Sequence, residues 1–258
     1  MKSTYASVLI TNFNKGKFIQ NSLKSCEAQN YKYKEVIIFD DCSTDNSLSI
    51  IKKFKKFKLI KNKKKKFKSG PLNQIYGINT LLKASKGDLI FLLDSDDEFK
   101  KDKIKKICNI FKKNKKLNFL QDTPTNNLTK KKIIFNKRKN IYTIWPKFYP
   151  TSTIVFRKKY YKNFFKFGMV NKYPNLEIDA RLCIYAFLKG DFKVFQRSFT
   201  IYRVNTQGIT SRYKKYGKSW WMKRHEAFNY MLYISKKLNL KFKRGPDFYL
   251  TKLVNFFF

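Results

Sequence analysis

The chain has 258 residues, with 58 Lys and Arg against 17 Asp and Glu and a formal net charge of +41. A hydrophobic content of 43% excludes a disordered polyelectrolyte, and the length suits one large domain or a domain with a small appendage. The longest apolar runs, such as Leu89 to Leu93, fall far short of the ~20 residues of a membrane-spanning helix.

In chain order, residues 6–13 (ASVLITNF) read as a buried strand. Residues 16–30 place Phe18, Ile19, Ser22, Leu23 and Cys26 at helical spacing. Residues 34–41 (KEVIIFDD) read as a second buried strand. Thr44 is placed to cap a helix carrying Leu48, Ile51 and Phe54, with Asp45 in its first turn. A short strand follows at 58–60, then a basic loop at 61–70 (KNKKKKFKSG) and a helix over 72–87 stopped by Gly87. Residues 88–94 (DLIFLLD) form a strand, and Ile104, Ile107, Cys108 and Phe111 share one face of the next helix. Residues 117–121 are a strand, 123–149 are compatible with a hairpin, and 152–156 are a strand. A helix spans 175–190 and ends at Gly190, FKVFQ and FTIYRV read as two strands, and a last amphipathic helix spans 220–238.

Strands that are apolar throughout, alternating with helices, predict an α/β fold: a mostly parallel sheet covered on both faces. Ligands of such sheets sit at the carboxyl ends of the strands. Both acidic clusters, DDCSTD (40–45) and DSDDE (94–98), fall there, and Asp88 to Glu98 hold five of the 17 acids. Carboxylates at i and i+2, Asp94 and Asp96, suit a hard divalent cation together with substrate phosphates. The plainer alternative is a solvated turn that caps the following helix, a role open to Asp97, Glu98 and Asp102. Loop and N-cap chemistry is likewise the alternative for Asp40, Asp41 and Asp45.

The opening block SVLITNFNKGKFIQNSLKSCEAQNYKYKEVIIFDDCSTDNS, joined to SKGDLIFLLDSDDEF, resembles the family 2 glycosyltransferases of GT-A fold, including their DxD motif. EIDARLCIYAFLKG and YRVN resemble, more loosely, that family's catalytic helix and following Tyr-Arg segment. The resemblance covers roughly residues 6–211. It implies that Thr11 and Phe13 flank the nucleotide base, that Asp41 hydrogen-bonds it, and that Lys68 and Asn73 touch the donor. Phe13 stands where the family often has Tyr, so stacking persists without a hydroxyl contact. Asp94 lies near the ribose and the metal, and Asp96 ligates the metal, Mg2+ or Mn2+. The family's Glu-Asp pair is split here into Glu177-Ile178-Asp179. Helix register favours Asp179 as the base, with Glu177 in reserve. Arg203 contacts phosphate or braces the sheet, and Asn205 replaces a frequent His. Trp145, Tyr149 and the PTS at 150–152 resemble the acceptor side, with core packing as the alternative. His225, the single histidine, reads as a surface position of the last helix.

The implied division is a glycosyltransferase domain over 1–211, with a nucleotide-sugar half (1–122) and an acceptor half (123–211), and a helical extension over 212–258. The implied activity is inverting transfer from a nucleotide-diphosphate sugar, UDP-sugar by default, to a saccharide or lipid-linked acceptor in cell-surface polymer synthesis. Two rivals stand: a non-enzymatic polyanion binder, and a family member that binds nucleotide without turnover. The four cysteines are scattered without a CxxC pair, and the opening residues lack an apolar signal stretch. These features imply a cytoplasmic protein. An AT-rich coding sequence accounts for much of the lysine but not for the shortage of acids. The runs 52–68 and 100–116 therefore imply salt-sensitive docking on anionic membrane, without specific nucleic-acid recognition.

Overall fold

The computed structural model describes residues 4–135, 147–204, 214–241 and 244–258. Its elements are β1 (Ala6–Asn12), α1 (Gly16–Glu27), β2 (Lys34–Asp40), α2 (Ser47–Lys52), β3 (Lys58–Lys61), α3 (Gly70–Ala84), β4 (Leu89–Asp94) and β5 (Glu98–Phe99). After them come α4 (Lys103–Lys113), β6 (Phe119–Asn126), β7 (Ile154–Arg157), α5 (Ile178–Leu188), β8 (Val194–Tyr202), α6 (Lys218–Lys237) and α7 (Pro246–Phe256).

These strands make one sheet in the order β3-β2-β1-β4-β7-β6-β8-β5. The first four are mutually parallel, β6 and β8 point the same way, and only β7 and β5 run against them. Successive side chains of a strand point to opposite faces, so an apolar run feeds two cores. Leu9, Ile37, Phe39, Ile90 and Leu92 pack with residues of α3, α5 and α6 on one face. Val8, Ile10, Val36, Ile38, Phe91 and Leu93 pack with α1 and α4 on the other. All four cysteines are free thiols.

Several boundaries differ from the sequence reading. Thr44 does not cap α2: Asn46 is its N-cap residue without a side-chain bond, and Asp45 Oδ1 accepts from Ser47 N at 2.9 Å. Phe54 lies beyond α2 and stacks on Phe57 with ring centroids 5.5 Å apart. Gly87 does not end α3, which stops at Ala84 with an extended Ser85. A Cβ on Gly87 would lie 2.5 Å from the Ser7 nitrogen, so glycine is required where the chain crosses the start of β1. Gly190 does follow α5, in the left-handed region at φ 71°. FKVFQ and FTIYRV are one strand, β8, with an irregular register against β6. β6 starts at Phe119 and runs through position 122 to Asn126. Within 123–135 a short hairpin forms, with Thr125 bridging Lys132.

Two buried cations tie the distal half together. Lys103 and Asp122 have no exposed side-chain surface and meet at 2.7 Å. Lys103 also donates to the Ser152 carbonyl, and Asp122 accepts from Phe199 N, which joins α4 to β6 and β8. Arg181 donates to the carbonyls of Val170, Lys172, Tyr173 and Leu176. That clamp holds the segment leading into the N-terminus of α5.

Candidate active site

The carboxyl ends of β1, β2 and β4 lie side by side. In register, Thr11 of β1 stands between Phe39 of β2 and Asp94 of β4. Phe13, just beyond β1, is exposed, and the Lys65 ammonium lies 3.3 Å from its ring centroid. Asp40 is spent on structure: it accepts from Asn12 Nδ2 and from Ser43 N and Oγ. Asp41 is held through Oδ1 by Asn62 Nδ2 at 2.7 Å. Asp45 accepts from Gly16 N at 2.7 Å and thereby sets the start of α1. Burial alone would raise the Asp45 pKa, but its hydrogen bonds from Ser47 and Gly16 outweigh that and lower it.

The four acids after β4 have distinct surroundings. Asp94 accepts from Gln74 Nε2 at 3.1 Å, and its backbone N–H donates to Ser152 Oγ at 2.9 Å. Burial, then the charges of Asp97, Asp96 and Asp179, push its carboxyl well above the ordinary range. Asp96 remains partly accessible and meets the Lys15 ammonium at 2.5 Å. Asp97 is buried and accepts from Ser152 Oγ at 2.6 Å and Arg203 N at 2.8 Å. Burial raises its pKa to about 7. Asp97 thus fastens the end of β8 to the acidic turn, and Glu98 lies 3.7 Å from the Arg203 guanidinium. Arg203 Nε donates to the Asp96 carbonyl, so this side chain braces the turn.

The N-terminus of α5 faces the same group. Glu177 is its N-cap residue and Asp179 lies in its first turn. Asp179 is partly accessible, and burial followed by the Glu177 charge raises its pKa to about 7. Lys223 of α6 reaches Glu177 at 2.5 Å and pulls the Asp179 pKa the other way. The Tyr202 hydroxyl is pushed up to about 12 by burial and by Asp97, Asp94, Asp96 and Asp179 in turn.

The structure therefore brings Thr11, Asp94, Asp96, Asp179, Glu177 and Arg203 to one sheet edge. Asn73 is different: its Oδ1 accepts from Phe67 N and its Nδ2 donates to Phe67 O, so it pins the lysine-rich loop. Lys68 is exposed on that loop. Trp145 and Asn205 lie outside the described residues. Lys15, Gln74, Tyr202 and Lys223 escaped the sequence reading. Tyr202 alone had a signal, as the Tyr of the Tyr-Arg segment.

No cluster of three or more metal-ligating side chains occurs among the described residues. Asp94 and Asp96 nonetheless supply two hard oxygen donors of the kind Mg2+ takes alongside substrate phosphates. Burial, and then the neighbouring negative charges, hold the Asp94 carboxyl up, and a bound cation would favour its ionised form. The donor set fits a divalent metal.

The model of glycosyl transferase family 2 matches residues 7–178, from β1 to the start of α5. The chain belongs to glycosyl transferase family 2. Among curated relatives, an uncharacterized glycosyltransferase of Haemophilus influenzae is 33% identical over 116 residues, 44% of this chain and 45% of that protein. The Staphylococcus aureus poly(ribitol-phosphate) β-N-acetylglucosaminyltransferase TarP is 38% identical over 112 residues, 42% of this chain and 33% of TarP. The matched segment is less than half of each of these relatives. Among solved structures, S. aureus TarS 1–349 in complex with UDP-GlcNAc superposes with a TM-score of 0.65 at 17% identity, covering 97% of this chain and 70% of that one. The mannosyltransferase PcManGT from Pyrobaculum calidifontis, in complex with GDP-Man and Mn2+, gives 0.58 at 13% identity, covering 99% and 70%. The shared fold is GT-A. No described helix is long and apolar enough to cross a membrane.

Proposed function

We propose that this glycosyltransferase is an inverting enzyme that moves a sugar from a UDP-sugar to an acceptor hydroxyl in cell-surface polymer synthesis. The observation that carries the reading is the family 2 match over residues 7–178 together with the acidic turn at the carboxyl end of β4, where Asp94 stands beside Thr11 of β1. Asp179 at the start of α5 supports it, since its charge acts on Asp94 after burial, Asp97 and Asp96.

The donor's base lies along the edge of β1 and β2, flanked by Thr11 and Phe13, with Asp41 as its hydrogen-bond partner. Asn62 orients Asp41 for that contact. Lys68 and the Asn73-pinned loop lie on the donor side. Asp94 and Asp96 would hold a divalent cation, Mg2+ or Mn2+, which would supply positive charge against the diphosphate leaving group. Arg203 fixes the backbone of Asp96 and adds positive charge nearby. Asp179 takes the acceptor hydroxyl's proton as that oxygen attacks the anomeric carbon. The bond to the diphosphate breaks on the opposite face, which inverts the anomeric centre. A base with a pKa of about 7 combines useful basicity with an ionised fraction near neutral pH. Trp145 is proposed on the acceptor side.

The likeness to TarS, whose complex holds UDP-GlcNAc, supports the choice of UDP. The test is a screen of UDP-, GDP- and dTDP-sugars with Mg2+ or Mn2+, read as nucleotide release and sugar transfer. UDP release that needs metal supports the reading. Tight nucleotide binding without release with every donor would instead favour a family member without turnover.

A further inference from the structure

Apart from Phe248, which packs on Phe228 of α6, helix α7 is inside out. A helix on a globular surface normally buries its apolar stripe and exposes its polar one. Here Asp247 and Thr251 are the buried positions, and Asn255 is partly buried behind them. All three, at i, i+4 and i+8, bond to α6. Arg224 pairs with Asp247 and donates to Thr251 Oγ1, and Asn255 Nδ2 donates to the Trp221 carbonyl. The opposite stripe carries Leu250, Leu253, Phe256 and Phe257, which are 51%, 57%, 83% and 76% exposed. Met222 of α6 continues it along a groove of about 1050 Å³ between the two helices.

The charge around this face is mostly positive, with Glu226 the acid that lines the groove. Within 214–241 and 244–258 the only acids are Glu226 and Asp247. Asp247 is paired with Arg224, and both Glu226 carboxylate oxygens accept from Asn175. Lys218 and Lys252 edge the groove, and Lys214, Lys215, Lys241 and Arg244 are exposed nearby.

We infer that the exposed apolar stripe of α7 and its lysine rim form a docking surface for an anionic lipid bilayer. An apolar stripe flanked by lysines is the pattern of helices that lie in the membrane interface, with the side chains in the acyl boundary and the cations at the headgroups. A second copy of this chain would bring two positive rims together, a repulsion that opposes self-association. The inference goes beyond the proposed reaction and does not depend on it. It also differs from docking through lysines alone, because apolar insertion survives salt that screens surface charge.

The experiment is co-sedimentation of the full chain with vesicles of phosphatidylcholine alone or with about 30 mol% phosphatidylglycerol, at low and high salt. The wild type is expected to bind the anionic vesicles and to retain part of that binding at high salt. The variant L253S/F256S/F257S changes only exposed side chains, so its melting temperature should match the wild type. Its partitioning should be on the order of a hundred-fold weaker. The variant K218E/K252E should lose the preference for phosphatidylglycerol. Absence of wild-type binding, equal binding by the wild type and the triple serine variant, or a wild-type dimer that the serine variant dissociates would each overturn the inference.

Discussion

Lys223 on α6 lies 2.5 Å from Glu177, two residues before Asp179 on α5. The cation comes from beyond the family-matched segment, which ends at residue 178. It offsets the charge that, after burial, does most to raise the Asp179 pKa. Removing it should raise that pKa further. A carboxylate acts as a base only when ionised, so the acid limb of the pH–rate profile of K223M should move to higher pH. A shift of half to one unit costs about 2- to 5-fold in rate near pH 7 and about 3- to 10-fold well below it, recovered at higher pH. K223R should retain the wild-type profile. Adding Glu177→Gln to K223M should move the limb back, since both opposing charges are then gone. A profile unchanged in K223M would assign Lys223 a purely architectural role.

Asp179→Asn keeps the shape of the side chain and removes its basicity. Transfer should fall by roughly 10²–10⁴-fold while donor affinity holds, because a positioned general base acts on the acceptor's proton. Glu177→Gln should lose far less, since Glu177 is already engaged by Lys223. Donor binding by calorimetry beside transfer rates separates the two. Activity in Asp179→Asn together with loss in Glu177→Gln would move the base to Glu177.

Much of this arrangement was legible in the sequence. The centres of β1, β2 and β4 are apolar because both faces are covered, and Asp40 and Asp94 fall where parallel strands end. The distal half was harder to read. β8 looks like two strands because exposed Gln196 and Arg197 interrupt its apolar pattern, yet Asp122 accepts from Phe199 N and carries the strand on. Gly87 resembled a helix stop because nothing local reveals the backbone of β1 against which it packs. Asn73 looked like a ligand contact because its real partner, the Phe67 backbone, leaves no trace in residue type. Lys15 and Lys223 were hidden among the 58 basic residues; only the tertiary fold shows that they meet carboxylates at the site.

Asp96 carries the test of the metal. Its carboxylate is partly accessible and already attracts a cation, Lys15. Asp96→Asn removes the charge and one hard oxygen donor while keeping the side chain's size. Metal-dependent donor binding should drop at least about tenfold, and the weak metal-independent binding should stay. Melting temperatures of the wild type and Asp96→Asn should agree, since the position lies outside the core. Titration of UDP-sugar with and without Mn2+ reads the result. Equal metal enhancement in both proteins would remove Asp96 from the metal site.

The Lys103–Asp122 pair joins the distal strands to α4, and both side chains are fully buried. Burial pushes the Asp122 carboxyl up and the Lys103 ammonium down, and each opposes the other's shift. Breaking such a pair from one side strands a charge away from water, at a cost of about 3–5 kcal/mol. Asp122→Leu is therefore expected to destabilise strongly, and Lys103→Met similarly. Lys103→Met with Asp122→Leu removes both charges, so its loss should be clearly smaller than the sum of the two single changes. Asp122 also accepts from Phe199 N and Thr200 Oγ1, and the double variant leaves the Phe199 N–H without that partner while Thr200 keeps the Ser152 carbonyl, which holds it below the wild type. Denaturant melts of all four proteins measure the coupling. Additive losses would mean that the two residues stabilise the sheet independently, through their separate bonds to Ser152 and to β8.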